Sequence, residues 1–132
     1  MSEKRINIES AFQKLSDIAG FEGIVFVSTQ GSVLAAKFVE GTTSPKAADS
    51  LAACLKDLDS LIKKISPSNL EEMSVKGKLR TVVILKSRAI GFLTAVVGLE
   101  TMHLGLARLK TRETIEELEK TLDQIMTKRP QE

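Results

Sequence analysis

Three stretches of the chain are apolar at both alternating sets of positions: Gly23-Ile-Val-Phe-Val-Ser28, Leu79-Arg-Thr-Val-Val-Ile-Leu-Lys86 and Ile90-Gly-Phe-Leu-Thr-Ala-Val-Val97. Successive side chains of a strand point to opposite faces of its sheet, so a strand with no polar face must be covered on both sides. Three such strands in 132 residues require helices packed on both faces of one sheet. They also belong in its interior, which leaves the edges to other segments.

The remaining patterns supply the cover and the edges. From Ile6 to Ala19, the residues Ile8, Ala11, Phe12, Leu15 and Ile18 recur at three- and four-residue steps. This predicts a short amphipathic helix, capped by Ser2 or Asn7 and stopped by a left-handed Gly20. Val33–Phe38, joined to the first strand through Thr29–Ser32, completes an antiparallel hairpin. Leu70–Lys76 alternates weakly and is more polar, the profile of an edge strand, and Gly77-Lys78 turns it into the next one. Gly91 and Gly98 are expected to mark a bulge and the exit of the last strand.

A final helix is expected from Thr101 to about Thr127, with Leu104, Ala107, Thr111, Ile115, Leu118, Leu122 and Ile125 as its stripe and Arg129–Glu132 as a frayed end. Gly105 inside it costs about 1 kcal/mol relative to alanine, so a close approach of helix to sheet is expected there. The order is α-β-β-α-β-β-β-α. The fold class is α+β: a three-layer α/β/α sandwich around a five-stranded antiparallel sheet, in a single domain over 1–132 with its core at about 6–127.

The helix at Ser44–Ile65 carries more apolar surface than one face of a sheet can use. Ser44 is placed to cap it, Pro45 suits its first position, and Ser66-Pro67 ends it. Ala48, Leu51, Ala52, Leu55, Leu58, Ile62 and Ile65 recur at helical spacing. Ala47, Cys54 and Leu61 widen one edge until the apolar positions cover about half the circumference, where roughly 100° suffices to dock on a core. The excess calls for a second partner, read here as another copy of the chain. Leu51, Ala52, Leu55 and Ile62 then seat the helix, while Ala47, Cys54, Leu58, Leu61 and Ile65 meet the copy.

Little in the chain points to chemistry. His103 is the single histidine and Cys54 the single cysteine, so a histidine metal cluster and an internal disulfide are excluded. His103 reads as a helix-start surface residue, and Cys54 as a buried or interfacial small hydrophobe in preference to a reactive thiol. No G-x-x-x-x-G-K-[ST] phosphate loop is present. Glu71 and Glu72 point to opposite faces of a strand and cannot share a catalytic site.

A net charge of +2 without Trp or Tyr gives no reason to expect nucleic acid as a partner. No apolar leader and no transmembrane segment is read from the chain, so a cytoplasmic protein without cofactors is expected. Lys76, Lys78, Arg80, Lys86 and Arg88 lie in a stretch without acids. They read either as protection of edges and turns or as a basic surface facing an anionic partner.

Gly23-Ile-Val-Phe-Val, Gly31-Ser-Val-Leu-Ala-Ala, the alanine-rich second helix, the two apolar strands and Leu104-Gly-Leu-Ala-Arg108-Leu together resemble the roadblock (dynein light-chain) domain family. Longin and profilin-like domains share related layouts. The resemblance implies pairing through the third strand into one continuous sheet with the second helices side by side, which adds Met73 and Val75 to the expected interface. It also implies a scaffold or regulator of a small Ras-like GTPase, with no catalytic residue carried over. The standalone size is similar to that of prokaryotic members, archaeal ones especially. The alternative is a structural subunit that pairs with a different roadblock or longin-type chain in a membrane-associated or motor-like assembly.

Overall fold

The computed structural model describes residues 7–28, 30–41, 46–66, 71–87 and 92–128, with side chains to 120 in the last of these stretches. Its elements are α1 (Ile8–Leu15), β1 (Phe21–Val27), β2 (Val33–Phe38), α2 (Lys46–Ile65), β3 (Glu72–Lys76), β4 (Arg80–Lys86), β5 (Leu93–Leu99) and α3 (Leu104–Lys128). The strands form one antiparallel sheet in the order β2-β1-β5-β4-β3. The three two-sided apolar strands are therefore the inner ones, and the hairpin arm β2 and the polar β3 are the edges.

Alternation along those inner strands sorts their side chains into two cores. Ile24, Phe26, Val83, Leu85 and Val96 pack beneath α1 and α3, with Ala11, Leu15, Ala107 and Ile115. Val25, Val27, Ile84, Leu93 and Ala95 pack beneath α2, with Ala48, Ala52 and Leu55. Phe26 and Phe92 meet edge to face in the first core, their ring centroids 5.6 Å apart. Two helices on one face and one on the other give the three layers expected.

Several boundaries differ from expectation. Asn7 caps α1 by accepting the Ser10 N–H at 3.1 Å, but the helix ends at Leu15, not Ala19. The Ser16 hydroxyl and amide bond back to Gln13 and Phe12, and two tight turns lead through Gly20 at φ +88° into β1. Gly20 has the left-handed backbone expected of it, as a strand entrance. Gly98 is no exit, since β5 runs on to Leu99. A Cβ at Gly98 would lie 2.4 Å from Met102 Sδ and 2.8 Å from the Gly20 carbonyl oxygen, so the glycine admits the crossing of two chain segments.

Gly105 is also corrected. A Cβ there would meet only the His103 ring, at 3.3 Å, and no sheet atom, so close approach is not its role. Leu79 precedes β4 as an exposed turn residue. The irregularities in the sheet are an extra residue in β1, Glu22 between Phe21 and Gly23, and an extra residue in β2, Leu34 opposite the Phe26–Val27 step. The readings for Ser2, Thr29, Ser44, Pro45, Pro67, Leu70, Arg88, Ile90, Gly91 and Arg129–Glu132, and for the side chains of Leu122 and Ile125, lie outside the described residues. Among the described residues no helix is long and apolar enough to cross a membrane.

Candidate protein-interaction surface

Helix α2 lies over β1 and β2. Ala48, Ala52 and Leu55 are buried against the sheet, and Leu51, Leu58 and Ile62 pack around them. Asp59 is buried on the same side and pairs with Lys63 one turn on, at 3.1 Å. The flank at Ala52 and Lys56 abuts Gly31 in the β1–β2 turn, which has φ +88°. The other flank is open. Leu61 is 50% exposed and Ile65 72% exposed, one turn apart, and Cys54 is exposed on the same side.

Because α2 sits over β1 and β2, its core reaches β4 only at Ile84, and no helix among the described residues covers β3 on that face. Met73 and Val82 only border the core there, and Val75 on β3 is 46% exposed. Val75 is opposite Val82 and Met73 opposite Ile84 in the β3–β4 ladder, so both share the face that α2 covers elsewhere. The α2 flank and the β3 edge are thus two uncovered apolar stretches on the same side of the sheet. Of the residues expected at an interface, Leu61, Ile65, Cys54 and Val75 are exposed, Ala47 is half-buried, and Leu58 and Met73 are half-buried against the core. Leu79, read from the sequence as strand, is exposed as well.

Among the described residues, Lys76, Lys78, Arg80 and Lys86 do not gather into one patch. Arg80 places its Nε 2.6 Å from the buried carboxylate of Glu22, the extra residue at the β1 bulge, and is committed to it. Lys86 is half-buried at the other end of β4, about 20 Å from Arg80 at the usual strand rise. Lys76 and Lys78 are exposed at the sheet edge. Arg88 lies outside the described residues.

The residues considered for chemistry are separated by the sheet. His103 caps α3, its Nδ1 accepting the Leu106 N–H at 3.0 Å and its carbonyl accepting the Ala107 N–H at 2.9 Å. Cys54 is on α2, across the sheet from α3. Glu72 bonds to Arg108 of α3 at 2.5 Å. That hydrogen bond holds the Glu72 carboxyl below the ordinary glutamate range, with the Arg108 and Arg112 charges assisting and burial opposing.

A carboxylate with a depressed folded-state value contributes stability above its unfolded value and loses it as pH falls through the folded one. The difference in urea midpoint between the native chain and Glu72→Gln is therefore expected to be small and positive at neutral pH, because the pair is half-exposed and screened. It is expected to close as pH drops through and below the ordinary glutamate range. A difference that grew on acidification would contradict this account of the pair.

These features define a class: an α/β/α sandwich whose sheet ends in a bare strand beside an under-used helix flank, the fold of the roadblock domain. Solved structures agree. Gliding protein MglB from Thermus thermophilus is 18% identical, with 89% of this chain and 88% of that chain covered at a TM-score of 0.75. An MglB with a tetrameric arrangement is 20% identical, covering 89% and 90% at 0.71. The Roadblock/LC7 domain from Streptomyces avermitilis is 15% identical, covering 83% and 92% at 0.69. No protein-family model and no curated protein matches the sequence.

Proposed function

We propose that the chain is a self-associating, non-enzymatic scaffold that works in the cytoplasm without a cofactor and binds a small Ras-like GTPase. The observation that carries the reading is the exposed apolar surface on the α2 side of the sheet, Leu61 and Ile65 on α2 and Val75 on β3. Side chains of this size gain about 1.5–3 kcal/mol each when fully buried, so leaving them in water has a cost that association removes. A second copy, applied about a two-fold axis beside β3, covers the same residues on both chains. The tetrameric arrangement of one structurally similar MglB supports self-association of this fold.

The GTPase partner comes from the family resemblance. The opposite placement of His103 and Cys54 about the sheet supports a protein without chemistry of its own. The test is a pull-down from native cytosol with the purified chain as bait, in the presence of GTP or GDP. Retention of a small GTP-binding protein that depends on which nucleotide is present is expected. Retention of only a second roadblock or longin-type chain, insensitive to nucleotide, would replace this reading with that of a structural subunit.

A further inference from the structure

The face of the sheet away from α2 holds a groove of a different kind. Between α3 and the β3–β4 hairpin, Glu72, Leu85, Gly105, Arg108, Leu109 and Arg112 line a cavity of about 240 Å³. Its floor is Leu85, which the ladder sets directly opposite Glu72. Its wall is α3, where Leu109 is 56% exposed. Gly105 leaves the first turn of that wall without a side chain. A Cβ there would meet no atom nearer than the His103 ring at 3.3 Å, and alanine would favour the helix. Among the described residues no contact requires glycine at this position, and its effect is to keep the groove open.

Two guanidinium groups stand along it, one helical turn apart. Arg108 Nη2 is bonded to Glu72 at 2.5 Å, and Arg112 Nη1 donates to the Lys86 carbonyl at 3.2 Å. Each is anchored through a single nitrogen, and no other acceptor engages either among the described residues. A guanidinium anchored in this way keeps a fork of N–H donors that matches a carboxylate, and it loses little freedom on binding one. Glu72 shows which chemistry the groove accepts, since Arg108 already holds its carboxylate there. That pair is half-exposed, so an incoming carboxylate can exchange for Glu72 with little loss.

The charge pattern of α3 limits the occupant. Past Arg112 the helix turns acidic, and Glu113, Glu116 and Glu117 line a separate recess with Lys120. A long polyanion or an anionic membrane would meet those carboxylates, whereas one or two acidic side chains would not. The cavity is also smaller than the roughly 300–1,000 Å³ usual for a free small ligand. We propose that the groove between α3 and β3 binds an acidic segment of a partner protein, its carboxylates on Arg108 and Arg112 in exchange for Glu72 and an apolar side chain against Leu85 and Leu109. The groove is built within one chain, on the face away from α2, so it is present in a monomer and leaves the α2 flank free.

The test is fluorescence anisotropy of the full chain with a labelled peptide, Gly-Ser-Leu-Glu-Glu-Leu-Glu-Ser-Gly, and with its counterpart carrying glutamine for every glutamate. Saturable binding of the acidic peptide is expected, with the glutamine peptide at least about tenfold weaker, the size of one lost bond to a charged group. Arg108→Ala and Arg112→Ala are each expected to weaken binding about tenfold. Glu72→Gln removes the internal competitor and is expected to tighten binding about threefold. Leu109→Glu places a like charge in the groove at an exposed position and is expected to abolish binding with an unchanged far-UV spectrum. That variant keeps the test decisive if an arginine variant folds poorly. Lys56→Ala, on α2 across the sheet, is expected to bind as the native chain does.

Equal binding of the glutamine peptide would overturn the groove as a carboxylate site. So would a Lys56→Ala loss as large as that of Arg112→Ala, which would leave only general charge attraction. A Glu72→Gln chain that binds no tighter than the native one would overturn the exchange at Arg108. Absence of saturable binding at millimolar peptide would overturn the proposal, as would capture of the native chain, but not of Arg108→Ala, by phosphatidylserine vesicles in place of the peptide.

Discussion

Leu61→Glu is expected to leave a folded monomer at concentrations where the native chain is expected to dimerise. Leu61 is half exposed in the single chain and makes no part of the core beneath α2, so glutamate there changes the stability of one chain by about 0.5 kcal/mol or less. In the dimer each copy brings one such carboxylate into a region built for apolar contact. Dehydrating unpaired charges costs several kcal/mol, so the dissociation constant is expected to rise on the order of a hundredfold. Sedimentation velocity across a concentration series reads the shift, and the far-UV spectrum should not change. A variant that dimerises as tightly as the native chain would remove the α2 flank from the interface.

Leu55→Ala, on the same helix, has the opposite outcome. Leu55 is fully buried and packs with Ala48, Ala52, Val25, Val27 and Ile84 between helix and sheet. Truncating a leucine at such a site costs about 2–5 kcal/mol, the spread depending on how far the cavity collapses. That is a large share of the roughly 5–15 kcal/mol available to a domain of this kind. A lower urea midpoint with an unchanged m value is expected, and association should fail in step with folding. A loss below about 1 kcal/mol would mean that α2 is seated by other residues. The two variants, six positions apart, separate what holds the helix to its own chain from what it offers to another.

What could be read from the residues was what repeats. Continuous apolar runs in β1, β4 and β5 identified the inner strands, and the polar alternation of β3 identified an edge. The over-wide arc of α2 pointed to an open flank because Leu61 lies beyond any angle at which the helix can meet the sheet. Features set by contacts between distant segments were hidden. Gly98 has the composition of a strand end, yet its lack of a side chain answers to Met102 and the Gly20 carbonyl. Ile18 continues the periodicity of α1 and is buried, although the helix has already ended and a turn carries it inward.

Arg80 read as part of a basic surface because the bulge that brings Glu22 beside it leaves no trace in the alternation of β1. Leu58 falls near the boundary of the α2 arc, and the structure packs it on the core that was assigned to its neighbours.

The flank of α2 and the edge of β3 are expected to form a joint between chains. Sedimentation velocity of the native protein from low to tens of micromolar concentration tests it most directly. A single boundary moving from monomer to dimer over that range, or a dimer throughout, is the predicted result. A monomer that persists at tens of micromolar would contradict it.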